Sequence, residues 1–537
     1  MNAGLQGTFQ FLSQTENEAA VDVLLAGLDG PHKTVQQHAL RSLLTRPSPR
    51  GLQEVFRRLP TLGRWCQSIV SERAERLARA AAPAIETMDE EGCALALNGI
   101  VSFRLYDAVP ALLAFLKDRS PDANVKQAQQ TVLRLTALFY QELSDPKKRS
   151  KRNDLENVRR RITFALEEAV GGGHSHGNCD LVEAFVLLVR PQNVTLRRIL
   201  RDPTARSRPA LAEVLSSSPR GGVIRLLLGF LDDPQPPRVV RDVISKREDE
   251  KFVEHLLEKT GPRLSRSMAT TLGRFDSFAW AKPRHQLFQE FDGAAQFNAV
   301  QLLMASSMDR NELFSVLKFL LTEGKPEGRR AAAQRLAEFE GPEADALVVK
   351  ALGDEDSGVQ AAVIPQIRSR QIPGGMSLLI RMVDSPHKEV REALRKALPE
   401  FTYQQFLANF ESLPEELVPT SGHLVRRIDV DVAAKLAEDM DALSRVRRRR
   451  AVLAAGAMGL VPDLEQSIIE RLSDDDHMVR HAAAKALAEC ETIPSWEALR
   501  DALLDRSVIV QEAAEQSLTR ICQSLQTEAE NAVEEMA

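Results

Sequence analysis

Residues able to do chemistry are sparse in this chain, and most sit where a quieter role explains them. His174-Ser175-His176-Gly177-Asn178-Cys179-Asp180 brings two imidazoles, a thiol and a carboxylate together, all ligand types that zinc accepts. The spacing is not that of a closed four-ligand site, and no second Cys/His cluster lies nearby, so a glycine-rich loop with incidental histidines is the expectation. His477 and His481 stand four apart, on one face of any helix that contains them; a solvated helix face is expected there rather than a metal site. No Gly-rich phosphate loop, Gly-x-Ser-x-Gly elbow or His-Glu-x-x-His helix occurs. Runs such as Asp474-Asp475-Asp476 suit turns and helix caps without acid–base work. No catalytic residue, metal or cofactor is therefore assigned.

The remaining candidates are basic. Arg445-Val446-Arg447-Arg448-Arg449-Arg450 places successive guanidinium groups about 100° apart around a helix, so they cannot all face one neighbour. They read either as a helix start paired with Glu438, Asp439 and Asp441 or as a patch that recognises carboxylates or phosphates, for which the planar arginine fork is suited. A second patch is the loop with Lys147, Lys148, Arg149, Lys151 and Arg152, which leads into a helix beginning near Asp154 and carrying Arg159, Arg160 and Arg161. Alone it would bind polyanions weakly and with steep salt dependence. Neither cluster has aromatics interleaved, which argues against stacking on single-stranded bases.

The elements that position these groups repeat. Gly328, Val359 and Val390 are 31 residues apart, as are Val479 and Val510. Seven residues earlier stand Leu321, Leu352, Val383, Leu472 and Leu503. Three later come Ala331, Ala362, Ala393, Ala482 and Ala513, and eight later Leu336, Ile367, Leu398, Leu487 and Leu518. A fixed period in this range marks a stacked repeat. Within one copy, Val479, Ala482, Ala483, Ala486 and Leu487 recur at three- and four-residue steps, one face of an α-helix. Polar turns such as Ser473–Asp476 supply helix caps, and the small alanines allow close helix approach. The unit is an antiparallel helix pair, without the alternating runs that would signal strands.

The segment from Leu472 to Leu487, with Asp474, Val479, Arg480, Ala482 and Ala486 at these offsets, resembles a HEAT repeat in the short form of bacterial HEAT-like proteins. The same offsets recur at Leu28/Val35/Leu43 with His38 in the alanine place, at Leu116/Val125/Ala128/Leu133, and near Arg448/Ala451 with arginine replacing valine. Leu231–Pro234 followed by Val239 and Val240 is a degenerate copy, and 250–310 shows apolar helical periodicity alone. The resemblance implies an all-α, right-handed solenoid whose second helices line its concave side. The residue just after each register position then begins a second helix: Arg329, Gln360, Arg391, Arg449, Arg480 and Gln511. With Arg447, Arg448 and Arg450, the four arginines among them are the candidate partner-binding residues, pairing with turn aspartates such as Asp354 and Asp474 being the competing expectation.

Composition agrees. Aromatics are only 5% and net charge is −5 with 27% charged residues, which fits stacked helices and opposes a surface coated uniformly with nucleic acid. Five scattered cysteines fit reduced thiols rather than a disulfide framework. The N-terminal residues lack a signal-peptide pattern and no apolar run is long enough to span a membrane, so a cytoplasmic protein is expected. The pattern divides into N-terminal repeats (1–144), a basic loop, helix and glycine-rich loop (145–180), degenerate repeats (181–310), regular repeats (311–525) and an acidic cap (526–537). Ser48-Pro49-Arg50-Gly51 recurs as Ser218–Gly221, each a helix start, and Thr15–Glu18 has capping-box spacing.

Three function classes remain. The first is a non-catalytic scaffold or adaptor with a protein partner, acidic or phosphorylated. The second is a nucleic-acid binder resembling the HEAT-like glycosylases of alkylated DNA, for which Trp280 has no convincing acidic companion and reads as core. The third resembles the phycobilin lyases through the repeat alone. A di-iron HEAT hydroxylase is excluded, since none of the ten histidines is followed by glutamate.

Overall fold

In the computed structural model, residues 3–117, 119–145, 154–172 and 178–536 are described. Thirty-four α-helices and no strand occur among them. The chain divides into two compact units, Met1–Val316 and Leu317–Ala537. No helix among the described residues is long and apolar enough to cross a membrane.

In the C-terminal unit the register residues are the core. Val359, Val390, Val479 and Val510 are all 0% exposed. Removing each valine side chain from water contributes roughly 1.5–3 kcal/mol. The helix pairs follow from local chemistry. Asp356 accepts from the amide of Val359 at 2.9 Å to open the helix Ser357–Ser369, and Asp476 accepts from Met478 and Val479 to open His477–Ala486. These carboxylates fill donors that the first helical turn leaves unpaired. The second helices lie side by side, Pro326–Arg335 against Ser357–Ser369 against Lys388–Ala397, and Arg445–Ala457 against His477–Ala486 against Val508–Met536. Between Ser357–Ser369 and the next helix, Gly374 takes φ +73, a conformation that costs an L side chain strain, which is why Pro373-Gly374-Gly375 can turn the chain there.

The Met1–Val316 unit is built from the same helix pairs with more variation. Asp122, Asn178, Asn193, Asp249 and Asp292 each accept an amide three residues on and start a helix. Ser48 does the same for Gly51 at 3.1 Å, opening Pro49–Arg58 as its Ser-Pro-Arg-Gly motif implies. The capping box expected at Thr15–Glu18 does not form. The helix begins at Ala19, whose amide goes to the Asn17 side chain at 3.0 Å, while Glu18 turns to accept from the Ser48 hydroxyl at 2.9 Å. The helix Leu155–Gly171 buries Val158, Ile162, Leu166 and Val170 and ends at Gly172. Within 250–310, Phe275, Phe278, Trp280, Phe288 and Phe291 form a chain of ring contacts with Trp280 wholly buried.

Candidate interaction surface

Each second helix begins with a side chain that folds back over the turn before it. Arg329 donates to the Gly324 carbonyl at 3.0 Å, Gln360 to Asp354 at 2.7 Å, Arg391 to Ser385 at 2.8 Å, Arg480 to Asp474 at 2.7 Å and Gln511 to Asp505 at 2.6 Å. In the remaining repeat the residue that does this is Arg448, bonded to the Ala442 carbonyl at 3.0 Å, and not Arg449 as the sequence register implies. The register is one residue out there because Arg448 and Arg480 are 32 apart. The helix Arg445–Ala457 runs on to a left-handed Gly459 (φ +63), after which the Leu460 amide returns to the Ala455 carbonyl.

Three of these arginines also reach forward into the next turn. Arg329 grips Asp354 through Nε and Nη2 at 2.9 Å each, Arg448 grips Asp474 at 2.6 and 2.8 Å, and Arg480 grips Asp505 at 2.8 and 3.0 Å. The same aspartates accept an amide of their own turn, from Asp356, Asp476 and Ser507. One carboxylate thus ties its turn to the arginine of the preceding repeat. Burial alone would raise Asp474 and Asp505, but the arginines and turn amides outweigh it and hold both below the ordinary carboxylate value. Because Arg480 is 4% exposed and Arg448 15%, neither guanidinium is presented to a partner.

The rest of the arginine run is more open. Arg447 is 66% exposed and pairs with Asp439 at 2.6 Å, which also accepts the Tyr403 hydroxyl at 2.7 Å. Arg450 meets Glu411 at 2.9 Å and Arg445 meets Asp476 at 3.3 Å. Arg449 is exposed and makes no ion pair among the described residues. The sequence therefore groups five cations that the structure separates into a buried tie, three surface pairs and Arg449.

Between and beside these helix starts stand apolar side chains that the sequence reading passed over. Leu443 in one turn is 103% exposed and Val446 49%; in the last repeat Leu504 is 88%, Val508 64% and Ile509 47% exposed. Counting from the ladder residues Arg448, Arg480 and Gln511, Val446, Met478 and Ile509 hold equivalent places on three adjoining helices. Their signal in the sequence was an apolar residue where other copies carry Glu327, Gly358 or Glu389.

The other candidates do not assemble a reactive centre. Lys147, Lys148, Arg149, Lys151 and Arg152 lie outside the described residues, as do His174 and His176. Cys179 is half-buried, with its sulfur 3.5 Å from a Glu213 oxygen, and burial followed by Glu213, Asp180 and Glu183 pushes its thiol upward. Cys66, Cys93 and Cys490 are buried, and burial pushes each up to about 11, where the thiolate nucleophile is scarce at neutral pH. Burial first, then Lys485, Arg449 and His477, hold His481 below the usual imidazole value, a cationic setting that disfavours a further cation. Among the described residues no three His, Cys, Asp or Glu side chains are grouped to hold a metal.

Comparison with known families supports the helix-pair reading. Residues 314–399 match the family of HEAT repeats, and the chain there is a run of HEAT repeats. No curated protein matches the chain. Among solved structures, a homology model of the full-length AP-3 complex in an intermediate open conformation aligns at 12% identity over 98% of this chain and 95% of that one, with a TM-score of 0.29. Kap121p aligns at 12% identity over 97% of this chain and 53% of its own, TM-score 0.23, and Kap121p bound to Pho4p over 97% and 54%, TM-score 0.21. The chain thus spans about half the length of Kap121p.

Proposed function

We propose that this chain is a non-catalytic, cytoplasmic HEAT-repeat scaffold that captures a protein partner on the helix starts of its last repeats. The observation that carries this reading is the exposed apolar side chains Leu443 and Val446, beside Arg445, Arg447 and Arg449 in the chain, and Leu504, Val508 and Ile509 two helices further on. Exposed apolar residues rimmed by polar groups mark interaction sites on soluble proteins. Apolar side chains would supply most of the contact, and the surface arginines would select a partner with acidic or phosphorylated flanks. Arg329, Arg448 and Arg480 hold the repeats together and Arg391 braces its own turn, so the docking cations are narrowed to the exposed members of the run.

The test is crosslinked affinity capture with the full chain, comparing wild type with Val446→Asp/Ile509→Asp and with Arg449→Glu. Loss of the captured partner in the first variant and weakening in the second, with melting transitions unchanged, are the expected results. Capture that survives Val446→Asp/Ile509→Asp would exclude this surface. Duplex DNA retained by wild type and lost on Arg449→Glu would instead favour a nucleic-acid binder.

A further inference from the structure

The helix Leu155–Gly171 opens with Arg159, Arg160 and Arg161, and the structure sends them three ways. Arg161 pairs with Glu75 and with Asp107, so its charge is neutralised. Arg159 is 18% exposed and donates to the Leu188 carbonyl at 3.0 Å. Arg160 points to solvent and makes no ion pair among the described residues. Leu188 ends the next helix, Cys179–Leu188, and two residues on stands Arg190, exposed and likewise outside any ion pair among the described residues. Together Arg159, Arg160, Thr163, Phe164, Arg190 and Asn193 line most of a cleft of about 420 Å³.

A fourth guanidinium lies behind this cleft. Arg225, from the helix Gly221–Gly229, donates to the Leu187 carbonyl at 3.1 Å and rests over the Tyr140 ring at 4.9 Å. Nothing anionic among the described residues pairs with it; burial and then the neighbouring Arg159 and Arg190 press its pKa below the ordinary arginine value. The carboxylates at the cleft are Glu156, 3.7 Å from Arg159, and Glu167, which accepts from the Asn193 amide. Three cations therefore line the cleft with two carboxylates, one already engaged by an amide, and Arg225 adds a fourth charge close to Arg159 and Arg190. In the Leu317–Ala537 unit, by contrast, Arg329, Arg447, Arg448, Arg450 and Arg480 each meet an aspartate or glutamate. Arg159 and Arg225 are held by carbonyls and a ring and Arg160 and Arg190 are exposed beside them, so an anion in the cleft would relieve a repulsion the fold already contains.

We propose that the cleft between Arg159, Arg160 and Arg190 is a docking site for a phosphate monoester carried on a protein segment. The guanidinium fork matches phosphate oxygens in pairs, and the Thr163 hydroxyl adds a neutral polar partner. Phe164 stands 63% exposed at the same cleft and gives an apolar rest for the residue beside the phosphate. The cleft is sized for one phosphoryl group with its flanks rather than for a track of backbone phosphates, and the chain's net charge of −5 opposes a long polyanion. That the phosphate arrives on a protein rests on the scaffold reading above; the site lies in the Met1–Val316 unit and its residues are separate from the apolar set of the last repeats.

The experiment measures retention of a degenerate phosphoserine peptide pool on the immobilised full chain. The dephosphorylated pool and a DNA duplex serve as parallel probes, at fixed salt. Variants are Arg190→Gln, which touches an exposed residue, Arg190→Gln/Arg225→Gln, and Val446→Asp/Ile509→Asp. Expected are preference for the phosphorylated pool, a loss of about tenfold with Arg190→Gln at unchanged melting temperature, and no loss with Val446→Asp/Ile509→Asp. Equal retention of both pools, or retention indifferent to Arg190, overturns the proposal. Stronger retention of duplex DNA that also depends on Arg190 overturns it in favour of a nucleic acid. Affinity capture with Val446→Asp/Ile509→Asp scores the scaffold surface separately, so failure of the cleft and failure of that surface give different results.

Discussion

The two units stack helix pairs of the same kind, but the arginine–aspartate tie recurs periodically in one and appears at Arg197–Asp233 in the other. From Leu317 onward the tie is electrostatic and periodic: an arginine at the start of a second helix, an aspartate in the next turn, seen at Arg329–Asp354, Arg448–Asp474 and Arg480–Asp505. In the Met1–Val316 unit the same position reappears as Gln36, which bonds the Gly30 carbonyl at 2.8 Å, and as Arg197, which bonds Pro191 at 2.8 Å and also pairs with Asp233. Arg329, Arg448 and Arg480 each find a carboxylate in the following turn, Arg391 makes the backward bond without such a pair, and Gln360 precedes a turn whose corresponding residue is Ser385. The backward bond to the turn carbonyl is thus the constant feature, and three of the four arginines add an ion pair to it.

A second tie is shared by both units. Arg46, Arg247 and Arg370 stand just past the end of a second helix and reach back to carbonyls that end the preceding one. Arg46 bonds Leu12 at 3.1 Å and Asn17 at 2.7 Å; Arg247 bonds Leu215 at 3.0 Å and Ser218 at 2.9 Å; Arg370 bonds Leu336 at 2.6 Å and Phe339 at 2.7 Å. Helix ends leave such carbonyls without partners, and a guanidinium can satisfy several at once. Arg247 and Arg370 also meet Asp249 and Asp345 at 2.7 and 2.9 Å, whereas Arg46 has only Glu18 at 3.7 Å, so of the three the Arg46 tie should respond least to pH.

The largest expected effect tests the electrostatic tie. Arg480→Ala leaves Asp505 poorly solvated beside an empty site and should cost about 3–5 kcal/mol, read as lost hydrogen-exchange protection around 472–518. If protection there is unchanged, the tie is ornamental and the periodic aspartates serve as caps alone. Next is Leu352→Ala, which removes a side chain 8% exposed and should cost about 2–5 kcal/mol, felt first between residues 320 and 400. Loss spread evenly over both units would contradict nearest-neighbour coupling.

Acid should then separate the ties. Asp474 and Asp505 have lowered folded-state pKa values, so their contribution is complete above the ordinary carboxylate value and disappears as pH falls through the folded one. Protection in repeats 440–518 should fall on acidification while the amides that follow Arg46's carbonyl partners keep theirs; simultaneous loss would erase the distinction. The smallest effect is at Gln511→Ala, which removes one hydrogen bond at 2.6 Å and should cost about 0.5–1.5 kcal/mol. A loss as large as that of Arg480→Ala would place the energy in the backward bond rather than in the ion pair.

The sequence by itself determined the repeat and its core, because burial of one helix face forces apolar residues to recur with the unit: Val359, Val390, Val479 and Val510 could be named and are fully buried. It also marked the helix start in the Ser473–Asp476 turn, where Asp476 caps, since capping is local chemistry within four residues. It misplaced Arg449 by one residue and assigned a box at Thr15, because a 32-residue copy and a choice between neighbouring cap donors are settled by the loop and by contacts with Ser48, not by pattern. Only the tertiary structure decided which arginines remain available. Arg448 and Arg449 are adjacent and identical in type, yet one is bound to Asp474, 26 residues away, and the other faces solvent. Arg190 and Arg225, far apart in the chain, meet near Arg159 only because the helices ending at Leu188 and Gly229 and the one starting at Leu155 come together in the fold. Charge availability depends on distance in space, and distance in space between repeats is what a linear register does not contain.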